Sequence, residues 1–118
     1  MTASKIRRGQ IWLVNWSPGR GSEQLGRRPA LIIQTDAANS NPRYSNTIVL
    51  TLSTKGIPVA THVRVEPDAQ NGLREVSWVK CEQVLTISKE RLETLWGTLS
   101  AATMAEVDLA VKTAVGLT

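Results

Sequence analysis

Three observations in the 118-residue chain predict a mainly β fold, a small and strongly bent sheet or partly open barrel closed by one C-terminal helix. Short apolar runs of strand length recur between clusters of Gly, Pro and Asn. Only the last part of the chain carries apolar residues at helical spacing. No internal repeat and no long linker interrupts the sequence, so residues 1–118 are expected to form a single domain.

The first run, GQIWLVNW, alternates Ile11 and Leu13 against Trp12, Val14 and Trp16, a strand with two usable faces. Residues 17–28 follow as a long connection with glycines at 19, 21 and 26. Pro29 opens a second strand through residue 35, apolar at Ala30, Leu31, Ile32 and Ile33 in succession, which predicts burial on both faces and a central place in the sheet. Residues 36–46 hold three asparagines and Pro42 and read as a turn-rich connection. Strands are expected over residues 48–53, 59–66 and 77–84, the second half-exposed because Val63 and Val65 alternate with polar groups. Ser88 caps one helical turn, and residues 95–99 offer a short sixth strand. In the closing helix Met104, Val107, Val111, Ala114 and Val115 share a face; Ser100 is one N-cap, and Thr103 with Glu106 an alternative.

Fourteen Lys and Arg against ten Asp and Glu give +4 and a pI near 9.7, a balance suited to a polyanionic partner or to a merely solvated basic surface. No stretch approaches the roughly 20 apolar residues of a membrane span, and the first eight residues lack a signal-peptide core, so no membrane association or export is expected. The lone Cys81 can form neither an internal disulfide nor a zinc site, and a reducing cytoplasm is the simplest setting. The carboxylates show no metal-ligand spacing, one histidine and no GxSxG motif argue against a hydrolase triad, and GRGSEQLG lacks the ending of a phosphate-binding Walker loop.

Metal-free RNA cleavage asks for less, because the substrate's 2′-hydroxyl is the nucleophile and no cofactor is required. It needs a cation for the phosphoryl oxygens and groups that move protons. Arg28 is the best placed cation, since Pro29 and the strand behind it fix its backbone; a surface pair with Glu23 or Asp36 is the competing role. Ser53 and Thr54 offer hydroxyls at the end of the third strand, and Glu23 could orient Arg28 or accept a proton. Candidates for holding or reading RNA are Arg20, Arg27, Thr54, Lys55, His62 and Gln83, with His62 otherwise a plain strand-surface histidine and Glu82-Gln83 otherwise a buried pair. The four tryptophans could stack on unpaired bases, although a chain without phenylalanine needs most of them for its core.

In order and spacing, RRGQIWLVNWSPGRGSEQLGRRPALIIQTD, TIVLTLST, PVATHVRV and CEQVLTISKERL resemble the MazF/PemK toxins of bacterial toxin-antitoxin modules, over essentially the whole chain. The resemblance implies a homodimeric SH3-like or CcdB-like barrel that cuts single-stranded RNA at short specific sequences, leaving a 2′,3′-cyclic phosphate and a 5′-hydroxyl. It also implies a cognate MazE-like antitoxin with an acidic tail. The family's catalytic arginine and strand-end hydroxyl correspond to Arg28 and Ser53, a serine where many members have threonine. Gln10 stands where an acidic residue is common, and the connection from Ser53 to Pro58 is short. The alternative on the same scaffold is a non-catalytic, CcdB-like toxin that binds DNA gyrase.

Overall fold

The computed structural model describes residues 5–16 and 26–118. Six strands, β1 (Gln10–Asn15), β2 (Arg27–Ile32), β3 (Asn46–Ser53), β4 (His62–Val65), β5 (Ser77–Ser88) and β6 (Leu92–Thr98), form one sheet in the order β4-β5-β3-β2-β1-β6. Every neighbouring pair is antiparallel. Two α-helices accompany the sheet among the described residues, α1 (Asp36–Asn39) and α2 (Ala101–Ala114).

Strand alternation sorts the apolar residues into two cores. Ile11, Leu31, Leu50 and Leu52 face one core, which α2 covers with Val107 and Ala110. Trp12, Val14, Ala30, Ile32 and Val49 face the other, which Ile6, Ile87 and Leu92 complete. The middle of β2 is therefore buried on both sides, as its unbroken apolar run predicts, and Ala30, Leu31 and Ile32 are each fully inaccessible. Gln10, at the start of β1, accepts the Arg7 backbone N–H and the Trp12 indole N–H, each at 2.8 Å, so this position needs an acceptor oxygen that either an amide or a carboxylate supplies.

The connection after β4 crosses to the opposite edge of the sheet. Thr98 N–H donates to the Gln70 carbonyl at 2.8 Å, joining this connection to β6. Glycine is required on both sides of the contact: a Cβ on Gly72 (φ +73°) would lie 2.2 Å from the Trp96 carbonyl oxygen, and one on Gly97 would lie 2.2 Å from that of Gln70. Buried Asn71 holds the turn, accepting from Leu73 N–H at 2.9 Å and donating to the Glu66 carbonyl at 2.9 Å. The bent sheet is thereby partly closed, in keeping with the expected barrel.

Several boundaries differ from the sequence reading. Residues 36–46 contain a helix: Thr35 carbonyl accepts the Ala38 and Asn39 N–H groups. Asn39 anchors it from inside, donating to the Gln34 carbonyl at 2.9 Å and accepting from Gln34 Nε2 at 3.0 Å and Thr47 Oγ1 at 2.8 Å. Strand β4 starts only at His62, whereas β5 runs twelve residues rather than ending at Val84. It passes a register break in which Leu50 pairs with Val84 but Thr51 with Lys80, so Cys81, Glu82 and Gln83 have no counterpart on β3. Strand β6 begins earlier than expected, at Leu92. Ser88 caps a single 3-10 turn at Lys89–Arg91, as predicted. Ser100 caps α2 by accepting Thr103 N–H at 3.1 Å; Val115 lies beyond the helix and exposed, and the buried helix residues are Val107 and Ala110. Among the described residues no helix is long and apolar enough to cross a membrane.

Candidate active site

The β2–β3 ladder ends where Ala30 pairs with Thr51; extended by two residues, the same register would bring Arg28 opposite Ser53. Both residues line two clefts, of about 660 Å³ and about 430 Å³, which share Arg28, Pro29, Leu52 and Ser53. Arg28 thus stands at the junction of the clefts, exposed, on a strand whose following residues are locked in the core. Its carbonyl accepts the Trp16 indole N–H at 3.2 Å, which ties the end of β1 to the same place. Ser53 Oγ accepts the Lys55 backbone N–H at 3.0 Å, an arrangement that orients the hydroxyl and leaves its own proton to donate. Thr54 lines only the larger cleft.

The smaller cleft is walled by Trp16, Thr51, Lys80, Gln83 and Leu85. Gln83 comes from the unpaired segment of β5, and its Oε1 accepts a short hydrogen bond from the Thr51 hydroxyl, which leaves its amide N–H groups for a partner. Register break and cleft are connected: the three extra residues of β5 carry Gln83 to the face on which Arg28 and Ser53 lie.

Other sequence candidates are held elsewhere. Arg27, one residue before Arg28 and so on the opposite face, forms a two-pronged pair with Glu93 of β6, Nε to Oε1 at 2.6 Å and a second nitrogen to Oε2 at 3.2 Å. That hydrogen bond and charge raise the pKa of its guanidinium. His62 lines neither cleft; its Nδ1 accepts the Ile57 N–H at 3.2 Å and its Nε2 faces Glu82 Oε2 at 3.2 Å. Burial would raise the pKa of the Glu82 carboxyl, but hydrogen bonds from its own backbone, His62 and Thr61 outweigh this and hold it low. Lys55 is exposed outside both clefts and contributes only its backbone to Ser53. Arg20 and Glu23 lie outside the described residues. Asp36, the other acid considered for Arg28, instead accepts the Arg8 backbone N–H at 2.6 Å and the Asn39 amide at 3.1 Å.

Trp16 and Trp96, two of the four tryptophans considered for base stacking, do line the clefts, whereas Lys80, Arg74 and Glu75 are cleft residues that sequence reasoning missed. The Asn71-Gly72 turn directly before Arg74 was the available signal for two of them. Cys81 is fully buried and burial, then the Glu82 and Asp108 charges, push its thiol pKa up to about 12, so it is not a nucleophile. Among the described residues no three His, Cys, Asp or Glu side chains cluster as around a metal ion.

An exposed arginine facing a strand-end hydroxyl across two antiparallel strands is an arrangement for binding a phosphodiester. Comparisons with known proteins point the same way. The chain is 40% identical over 115 residues to the Endoribonuclease MazF of Staphylococcus epidermidis, a match covering 95% of this chain and 92% of that protein. Its structure resembles an endoribonuclease from a mycobacterial species solved in complex with its cognate antitoxin, with TM-score 0.80 and 25% identity over 96% of this chain and 97% of that one. It also shares its fold with the MazF of a MazE-MazF crystal form from Deinococcus radiodurans, with TM-score 0.75 and 23% identity over 96% and 97%. The model of the PemK-like, MazF-like toxins of type II toxin-antitoxin systems matches residues 7–115, and the chain belongs to that family.

Proposed function

We propose that this toxin cuts single-stranded RNA at short specific sequences through the 2′-hydroxyl, with Arg28 and Ser53 at the scissile phosphate. Endoribonuclease activity follows from family membership and from the 40% identity to the Staphylococcus epidermidis enzyme. The observation that supports the chemistry is the cross-strand position of Arg28 and Ser53 at the junction of two clefts. Attack forms a bond from the 2′-oxygen to phosphorus and breaks the bond to the 5′-oxygen, giving a 2′,3′-cyclic phosphate and a 5′-hydroxyl. The proton lost by the nucleophile is balanced by one gained by the leaving oxygen. Arg28 stabilises the charge on the pentacoordinate phosphate and can donate to the leaving oxygen, while the Ser53 hydroxyl, oriented by Lys55, donates to a phosphoryl oxygen. Glu23 serves in this reading to orient Arg28 or to accept a proton. Gln83 reads a base edge in the smaller cleft, where Lys80 adds a cation.

The same reading makes the chain a single domain that works in the cytoplasm as a homodimer, restrained by a MazE-like antitoxin whose acidic segment covers the arginine site. An RNA ladder incubated with the purified toxin in EDTA tests it. Wild type should give discrete cuts ending in cyclic phosphate, and folded Arg28→Ala should cut at least about a hundredfold more slowly. Equal cleavage by Arg28→Ala would sink the assignment. Intact RNA with gyrase trapped on DNA would establish the binding toxin instead.

A further inference from the structure

The larger cleft continues past Arg28 and Ser53 to a wall that the cleavage chemistry does not use. Gly72, Leu73, Arg74 and Glu75 form one side, from the connection that crosses the sheet, and Leu95 and Trp96 of β6 form the other. The glycine contacts described above fix these two sides against each other, because the 70–73 backbone rests on the Trp96 and Gly97 backbone with no room for a Cβ. Trp96 is 37% exposed and lines the cleft from a backbone packed closely against Gly72. Arg74 and Glu75 are exposed beside it, and Arg74 has no ion-pair partner among the described residues.

An aromatic plane, a cation and a carboxylate acceptor, contiguous with a phosphate site in a cleft of about 660 Å³, together match an unpaired nucleotide. Building on the proposed cleavage reaction, we infer that this cleft binds the nucleotide on one side of the scissile phosphate. Its base stacks on Trp96, its N–H edge donates to Glu75, and Arg74 meets the adjoining phosphate. The smaller cleft, with Gln83 and Lys80, then takes the nucleotide on the other side, so the RNA crosses the Arg28–Ser53 pair from one cleft to the other. Glu75 at this edge favours bases that present a donor.

The test uses an oligonucleotide carrying a site first mapped with the wild-type toxin on a long RNA. Trp96→Ala should lower kcat/KM about tenfold or more, mainly through KM, and relax base preference at one position flanking the cut, while Trp96→Tyr should restore most of both. Exposed Glu75→Gln, which leaves the packing intact, should alter base preference at that same position. If the wild type cuts the RNA and neither variant changes KM or base preference, the subsite is refuted and the cleavage assignment stands. A lower mass by light scattering for Trp96→Ala would also refute it, since the wall would then be a contact between two copies of the chain. A wild type that cuts no RNA would remove both proposals.

Discussion

His62 Nε2 lies 3.2 Å from Glu82 Oε2, and the opposite ring nitrogen accepts the Ile57 N–H, so one imidazole joins the connection before β4 to the unpaired segment of β5. Backbone donation to Nδ1 puts the proton of the neutral ring on Nε2, toward the carboxylate. The contact is one residue from Gln83. It ties down the unpaired segment of β5 that carries Gln83 into the smaller cleft.

The depressed Glu82 pKa gives this contact a pH signature. A carboxyl held low in the folded state favours folding when ionised, so its contribution is complete above the ordinary carboxylate range and is lost as pH falls through the folded pKa. Glu82→Gln removes the titration. Urea midpoints measured at neutral and acid pH should show wild type more stable than Glu82→Gln at neutral pH, with the gap closing on the acid side. A gap that persists in acid would mean that the charge of Glu82 contributes nothing.

Adjacent arginines should behave differently. Arg27 is committed to Glu93, away from both clefts, so Arg27→Ala should leave the rate of RNA cleavage close to wild type, in contrast to the loss at Arg28. Glu93→Gln provides the check: releasing the Arg27 guanidinium without removing it should also leave the rate near wild type. A large loss in Arg27→Ala alone would return Arg27 to the RNA contacts.

Asn39 is the hub of a buried polar network, with Gln34, Thr47 and Asp36 all bonded to its amide. Asn39→Ala would strand the buried Gln34 and Thr47 groups without solvent, while exposed Asp36 keeps water and the Arg8 N–H, at a cost of about 1–3 kcal/mol for each group left unsatisfied. The expected result is a clear drop in urea midpoint with little change in the position of cleavage sites. A drop of under about 0.5 kcal/mol would show that water or a side-chain shift replaces the amide.

The elements legible in the sequence were those whose signals are local. The Ser88 and Ser100 caps, the alternation of Val63 and Val65 and the two-sided burial of β2 depend on a few neighbouring residues and stand as read, although β2 spans Arg27–Ile32 rather than residues 29–35. Helix α1 was hidden because Asp, Asn and Ser read as turn residues, while its stability comes from buried bonds to Gln34 and Thr47 across the chain. The break in β5 depends on how much of β3 lies opposite, which no local pattern records. At the candidate site Arg28 and Ser53 were each legible as strand-end residues, but their opposition is a matter of register. Trp96 and Arg74 line one cleft because two glycines let distant backbones touch, which no local pattern around either residue records.

The parity of β2 carries a further consequence. Because successive strand residues face opposite ways, the same pleat that sends Leu31 to one core and Ala30 and Ile32 to the other sends Arg27 to Glu93 and Arg28 to the clefts. A slip of one residue would exchange the two guanidiniums, and would also turn Leu31 out of its core. The packing of three apolar side chains therefore selects which arginine lines the clefts. Residues inserted or deleted between 17 and 25 leave that choice untouched, whereas a single deletion between Arg28 and Ile32 would reverse it.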